Sequence, residues 1–192
     1  MDTSEKLVRA AEELMLRDGY SATRVDEVIR KAGLSKGSFY HFFDSKESLG
    51  LAALEHYYAD RVQRLAAGSH ATEPDPLQRA HAFLEHAISV AEDLWKKGCL
   101  LANFATDAAG SSRVVSEAVR KRTSELREIL MDLLSPFVTQ EITAGDLADQ
   151  FLISIEGSIV LARIYDDPAF LRRGLIQFRR CLEQLEGGGA PA

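Results

Sequence analysis

The sequence predicts an all-α protein, and three observations carry that prediction. Apolar residues recur at helical spacing through nearly the whole chain. No stretch of any length shows the two-residue alternation of a strand. Gly, Pro, Ser and Thr fall where helices would begin or end. A hydrophobic fraction of 46% over 192 residues can fill a core in one large domain or two small ones.

The elements follow in order. Leu7, Ala10, Ala11, Leu14 and Met15 form one face of a first helix, which Thr3 or Ser4 caps and Gly19 stops. Thr23 or Arg24 opens a short second helix with Val25, Val28, Ile29 and Ala32 inward, ended by Gly33. Ser35 caps a short third helix, and Ser45, followed by Glu47 and Ser48, caps a fourth that runs to about Ala67. GSHATEPDP (68–76) has two prolines, a glycine and no apolar period, and reads as a loop. Helical stretches follow at about 75–97, 99–108, 112–138 and 146–165. Pro168 opens a last helix ending near Glu186, and GGGAPA is a frayed tail. The expected organisation is a compact unit at 1–50, a connecting helix at 51–67 and a larger helical unit at 68–192.

Several function classes drop out. No apolar run approaches the roughly 18 to 20 residues of a membrane span, and the acidic, amphipathic N-terminus is no signal peptide. Cys99 and Cys181 make no disulfide framework, and no CxxC or His/Cys cluster points to zinc. His81 and His86 stand at i, i+5, which does not share a helix face, so no metal or other cofactor is expected. No Ser/His/Asp order, phosphate loop or dinucleotide fingerprint argues for an enzyme. Asp166-Asp167 before Pro168 reads as a turn. The expectation is a soluble, cytoplasmic protein. A net charge of −6 is not that of a basic nucleic-acid binder. From Tyr20 to Lys46, however, there are five cations against three anions, a small local excess.

That stretch holds the oddest composition in the chain, GLSKGSFYHFF (33–43), with small polar residues beside five aromatic ones, counting His41. Helix, tight Gly turn, helix is the pattern of a helix-turn-helix, whose second helix offers its N-terminal residues to base edges in a major groove. Phe39 and Phe43, at i and i+4, point back onto the first two helices, and Phe42 is counted with them in the core. Lys36, Gly37 and Ser38 lie outward on the first turn. Gly37 lets the backbone come close to a flat partner. Lys36 reaches a guanine edge or a phosphate, and Ser38 either. Tyr40 and His41 have apolar bodies and polar tips suited to phosphate. Thr23 and Arg24 head the second helix, Ser35 the third, and Ser45 with Lys46 the fourth, where helix N-termini attract phosphate.

Here the chain resembles the DNA-binding domain of the TetR family of bacterial transcriptional regulators. Gly19, Tyr20, Thr23, Ala32, Gly33, Leu34, Ser35, Lys36, Gly37, Ser38, Tyr40, Phe43, Ser45, Lys46, Glu47 and Leu49 all fit the family pattern, over about 50 residues. Phe42 departs from it, since many relatives carry a polar-tipped His or Tyr there. The resemblance implies an all-α fold of nine or so helices and a homodimer formed through the last two. It also implies a C-terminal domain for a small-molecule effector and a regulator, ordinarily a repressor, that binds a palindromic double-stranded operator. A helical interaction protein with no DNA role is the alternative.

In the C-terminal half, helix 146–165 is apolar nearly all round. Phe151, Leu152, Ile155 and Ile159 form one stripe and Ile153, Val160 and Ile164 another, with Gly157 and Ser158 allowing close helix approach. Leu171, Leu175, Phe178, Leu182 and Leu185 make a 4-3-4-3 seam that reads as a dimer face. Phe83, Trp95, Phe104 and Phe151 are bulky candidates for lining an effector pocket. KKGCLLANFATD (96–107) resembles a Gly-Cys-hydrophobic-Leu-x-Asn segment of a subgroup of the family. Some members of that subgroup answer to reactive electrophiles or small unsaturated acids. Cys99, at a helix start with Lys96 and Lys97 upstream, is either a thiolate sensor at the pocket wall or a small packing residue. Cys181 is expected to be buried.

Overall fold

Short polar side chains set the helix boundaries in the computed structural model, which describes residues 2–107 and 112–188. Of the predicted tail, residues 189–192 lie outside the described residues. Among the described residues there are nine α-helices and no strand: α1 (Thr3–Asp18), α2 (Val25–Ala32), α3 (Lys36–Phe42), α4 (Lys46–Ala66), α5 (Pro76–Trp95), α6 (Leu100–Asp107), α7 (Arg113–Leu134), α8 (Ala144–Tyr165) and α9 (Ala169–Gly188). Short 3-10 turns at Ser69–Thr72 and Ser135–Phe137 complete the chain. The all-α expectation holds.

The first helix is capped one residue earlier than predicted, by Asp2, whose carboxylate accepts the Thr3 N–H at 2.6 Å. Arg24 is the N-cap of α2, and its own N–H donates to the Glu27 carboxylate at 3.2 Å. Ser35 caps α3 through the Ser38 N–H at 3.1 Å, and Ser45 caps α4 through the Ser48 N–H at 3.1 Å. Gly33 ends α2 at φ 68°, a left-handed conformation that glycine adopts without strain.

The chain forms two compact units that differ from the division expected by chain order: Met1–Asp60 with Lys97–Thr123, and Arg61–Lys96 with Ser124–Ala192. The reason is α6 and the start of α7, which pack with the N-terminal helices rather than with α5. Leu100, Phe104, Val115 and Val119 join the core built by Leu7, Ala11, Met15, Phe39, Leu49 and Tyr57. The Asn103 amide donates to the Leu16 carbonyl at 3.1 Å, near the end of α1. The Asp107 carboxylate accepts the Ser21 N–H at 2.6 Å. Sequence order could not show this, because the segment returns after about 40 residues of intervening chain.

In the second unit Phe83, Phe151 and Phe178 pack in series, the first pair tilted at 5.7 Å between centroids and the second edge-on at 5.6 Å. Thr143 and Asp146 form a reciprocal capping box on α8. Arg127 of α7 grips Asp149 of α8 through two hydrogen bonds, and Arg179 of α9 pairs with Glu85 of α5. α8 and α9 cross closely at Ser158 and Gly174, where a Cβ on residue 174 would stand 2.0 Å from the Ser158 hydroxyl oxygen. Asp166 ends α8 with a left-handed φ of 50°, and Asp167 accepts the Ala169 N–H, the turn that was expected.

Two expectations for this half are corrected. The seam of α9 is filled within the protomer: Leu171, Leu175, Phe178 and Leu182 are all at most 3% exposed. α8 carries much of the apolar surface left over: Ile153, Val160, Leu161 and Ile164 are exposed, and a Cβ on Gly157 would meet nothing within 4 Å. Cys181 is exposed, because α9 turns its leucines inward and Cys181 sits one position off that stripe.

Candidate nucleic-acid interface and effector cavity

The first unit presents its polar residues on short helices braced from below. Phe39 and Phe43, 1% and 8% exposed, anchor α3 to the core, with their rings 6.0 Å apart. That anchoring turns Lys36, Gly37, Tyr40 and His41 outward, and all four are exposed, as are Ser35 and Arg24. Ser38 is half-buried, and its hydroxyl shares a 2.9 Å hydrogen bond with that of Ser35. Phe42 was expected in the core but is 41% exposed, because i+3 from Phe39 falls past the narrow contact face of a seven-residue helix. Its ring instead stands edge-on to His41 at 4.7 Å.

Lys36 pairs with Asp26 of α2 at 3.0 Å, and Asp26 raises its pKa further above the usual lysine range. Both side chains are 70% exposed, so the pair is weak and open to exchange for another anion.

Two of the residues assigned to phosphate contact are turned to other work. Thr23 is 1% exposed and its hydroxyl donates to the Gly19 carbonyl at 2.7 Å, closing the turn between α1 and α2. The Lys46 ammonium donates to the Ser21 carbonyl at 2.9 Å and lies 4.7 Å from the centre of the Tyr20 ring. Burial depresses its pKa. The structure therefore removes Thr23 and Lys46 from the exposed set and leaves Arg24, Ser35, Lys36, Gly37, Tyr40 and His41, with Ser38 partly engaged.

The second unit contains a cavity of about 140 Å³. Its wall is made by Val62 and Leu65 of α4, Phe83 of α5 and Leu126, Leu130 and Leu133 of α7, and its polar element is His70 from the 3-10 turn. His70 is 5% exposed, and its Nδ1 is buried with no hydrogen-bond partner among the described residues. Its ring stands edge-on to Phe83 at 5.3 Å. Burial, together with the neighbouring His86, holds its pKa below the usual histidine range.

Of the five residues expected to line an effector pocket, Phe83 lines this cavity. Phe151 packs against Phe83 in the core, and Trp95, 7% exposed, also packs in the second unit without reaching the cavity wall. Phe104 is fully buried in the first unit, 5.0 Å from the Tyr20 ring. Cys99, 5% exposed, also belongs to the first unit, one residue before α6, and does not line the cavity. Bulk alone does not mark the wall of this cavity, because most large side chains serve cores. His70 escaped notice because a histidine in a Pro- and Gly-bearing loop reads as surface. The described residues contain no group of three metal-ligating side chains and no helix long and apolar enough to cross a membrane.

Comparison with known proteins agrees with this geometry. A model of bacterial regulatory proteins of the tetR family matches residues 7–53. A second, described as the C-terminal domain of LmrA/YxaF-like transcriptional regulators, matches residues 76–174. The transcriptional regulator AcuR of Cereibacter sphaeroides is 33% identical, the alignment covering 83% of this chain and 76% of AcuR. A crystal structure of a TetR transcriptional regulator from Chloroflexus aurantiacus superposes with a TM-score of 0.81 at 29% identity, covering 95% of this chain and 94% of the other. The reduced form of NemR from E. coli superposes with a TM-score of 0.74 at 25% identity, covering 94% of this chain and 97% of NemR.

Proposed function

This chain belongs to the TetR family of transcriptional regulators, and on that premise we propose that it is a repressor released from a palindromic operator by a small-molecule effector. The observation that carries the reading is the exposed row on α3, held outward by two buried phenylalanines. Lys36 and Ser38 are its base readers, with Arg24, Ser35, Tyr40 and His41 on flanking phosphates. Gly37 keeps the backbone low enough for the helix to enter the groove. The weak Lys36–Asp26 pair is a resting partner that DNA displaces.

One seven-residue helix contacts few base pairs, so a homodimer is needed to read two half-sites about 34–36 Å apart. The exposed α8 stripe of Ile153, Val160, Leu161 and Ile164 is the surface we assign to it, an apolar patch that a second copy would cover by two-fold symmetry. The protein acts in the cytoplasm, where its operator lies. The effector occupies the cavity of the second unit. α7 supplies Val115 and Val119 to the core under the head and Leu126, Leu130 and Leu133 to the cavity wall. An effector that fits only the form unable to grip DNA shifts the population toward release. The buried position of Cys99 favours its packing role over that of a thiol sensor.

The test is a gel shift on palindromes selected from a random duplex library. The native chain should bind saturably as a dimer, with affinity that depends on both half-sites. Lys36→Ala should weaken binding by about 1–3 kcal/mol and relax preference at one base position per half-site. A loss equal for all sequences would reassign Lys36 to phosphate. Binding indifferent to the palindrome would sink the regulator reading.

A further inference from the structure

Resting on the reading of the second unit as the effector domain, we propose that its cavity takes a wholly apolar molecule the size of one aromatic ring, a simple hydrocarbon, and turns away analogues that carry a hydroxyl or a charge. Volume sets the size. At about 140 Å³ the space is close to an apolar cavity of about 150 Å³, walled by Leu, Ile and Phe, that admits benzene. The wall is of the same kind. Eight of its nine residues are hydrocarbon, Phe83 of α5 and Leu126, Leu130 and Leu133 of α7 among them, and it shows almost no polar surface.

Polarity follows from that wall. His70 is its one polar residue, and the imidazole turns almost no polar surface to the space. Its Nδ1 is buried and lies beside Gly68, where a Cβ would stand 2.6 Å from it, and the ring sits edge-on to Phe83 at 5.3 Å. A hydroxyl carried into this space leaves its water and finds no partner, and a carboxylate or ammonium finds no counter-charge either. Water is a poor competitor for the same reason, since a held water needs about two to four polar partners. A hydrocarbon sheds no hydrogen bonds on entry and gains dispersion contacts with the wall. The way in lies where Ala66, at the end of α4, and Ile129 of α7 both line the space and reach solvent, Ile129 at 42% exposure.

The experiment titrates the full chain, without DNA, with toluene, phenol and benzoate by calorimetry. Phenol has the shape of toluene with a hydroxyl in place of the methyl, so the pair separates polarity from size. Toluene should bind, phenol should bind at least about tenfold more weakly, and benzoate should not bind. Leu133→Phe fills the space and should abolish toluene binding. Ile129→Trp, at an exposed position, should do the same by closing the mouth and should leave the melting transition unchanged, so it serves if the first variant folds poorly. No toluene binding, phenol binding as tightly as toluene, benzoate binding, or toluene binding undiminished in both variants would overturn the proposal. A gel shift in saturating toluene then separates it from the readings beneath it. Release of the operator supports both. Toluene bound with operator binding unmoved would remove the effector reading and leave the chemistry of the cavity standing. Toluene bound by a chain that shows no palindrome-dependent shift would remove the regulator reading alone.

Discussion

The two units solve opposite problems. The first holds a row of side chains out, and the second holds a space open. In the first, short helices are capped at nearly every end, and Phe39 is buried to 1% so that Lys36 and Tyr40 can be exposed. In the second, the same chemistry of leucine and phenylalanine stops short of filling the interior and leaves an apolar void beside His70 and Phe83. A surface function is carried by residues and a cavity function by missing atoms, so substitution should act differently in each. Surface changes should alter binding and leave folding intact. Changes beneath that surface should do the reverse.

The largest effect is expected where the second unit presents its own surface. Ile164 is 66% exposed in the protomer, so Ile164→Glu should fold with an unchanged melting transition in the dilute monomer. In a two-fold dimer it strands two carboxylates in an apolar contact, at several kcal/mol for each ion. Sedimentation should show monomers at concentrations where the native chain is dimeric, and operator binding should fall with it. A dimer that survives places the interface on another face. Leu182→Glu is the informative contrast: Leu182 is 1% exposed, and its replacement should unfold the second unit rather than split a dimer.

Next comes Phe39→Ala, expected to destabilise the first unit by about 3–5 kcal/mol. Chemical denaturation followed by far-UV circular dichroism measures this, and operator binding should vanish because the head has lost its support. A stable Phe39→Ala variant that lost only DNA binding would mean the ring itself meets DNA, contrary to its burial.

The same contrast explains what could be read from sequence. Helices and caps were readable because each is a local event: Ser35 and Ser45 cap, and Gly33 turns, through bonds to atoms within a few residues. The exposed row on α3 was readable because the apolar period of Phe39 and Phe43 fixes which residues face away. Three things were not. The return of α6 to the head depends on Asn103 meeting the end of α1 across 87 positions, a pairing that no local pattern encodes. The inward turn of Thr23 and Lys46 depends on carbonyls left over at a loop, which a motif does not reveal. The cavity depends on how α4, α5 and α7 fail to close, and that failure has no residue signature. For the same reason the α9 seam read as a dimer face: a 4-3-4-3 stripe is identical whether its partner lies in the same chain or another.

The smallest expected effect tests the resting state of α3, proposed to read the operator. Asp26 holds Lys36 at 3.0 Å, with both side chains 70% exposed. A pair so exposed contributes within about 1 kcal/mol to stability, so Asp26→Asn should leave the melting temperature nearly unchanged. On DNA the consequence differs. The carboxylate both occupies Lys36 and places a negative charge beside an approaching phosphate backbone, so its removal should tighten operator binding severalfold at low salt. The gain should shrink as salt rises and screening weakens the repulsion it relieves. It should also be absent in the Lys36→Ala background if pairing is its main route, and undiminished there if long-range repulsion is. A gel-shift cycle over the two single variants and the double at two salt concentrations separates these. Weaker binding by Asp26→Asn would show that Asp26 positions Lys36 on its base rather than competing for it.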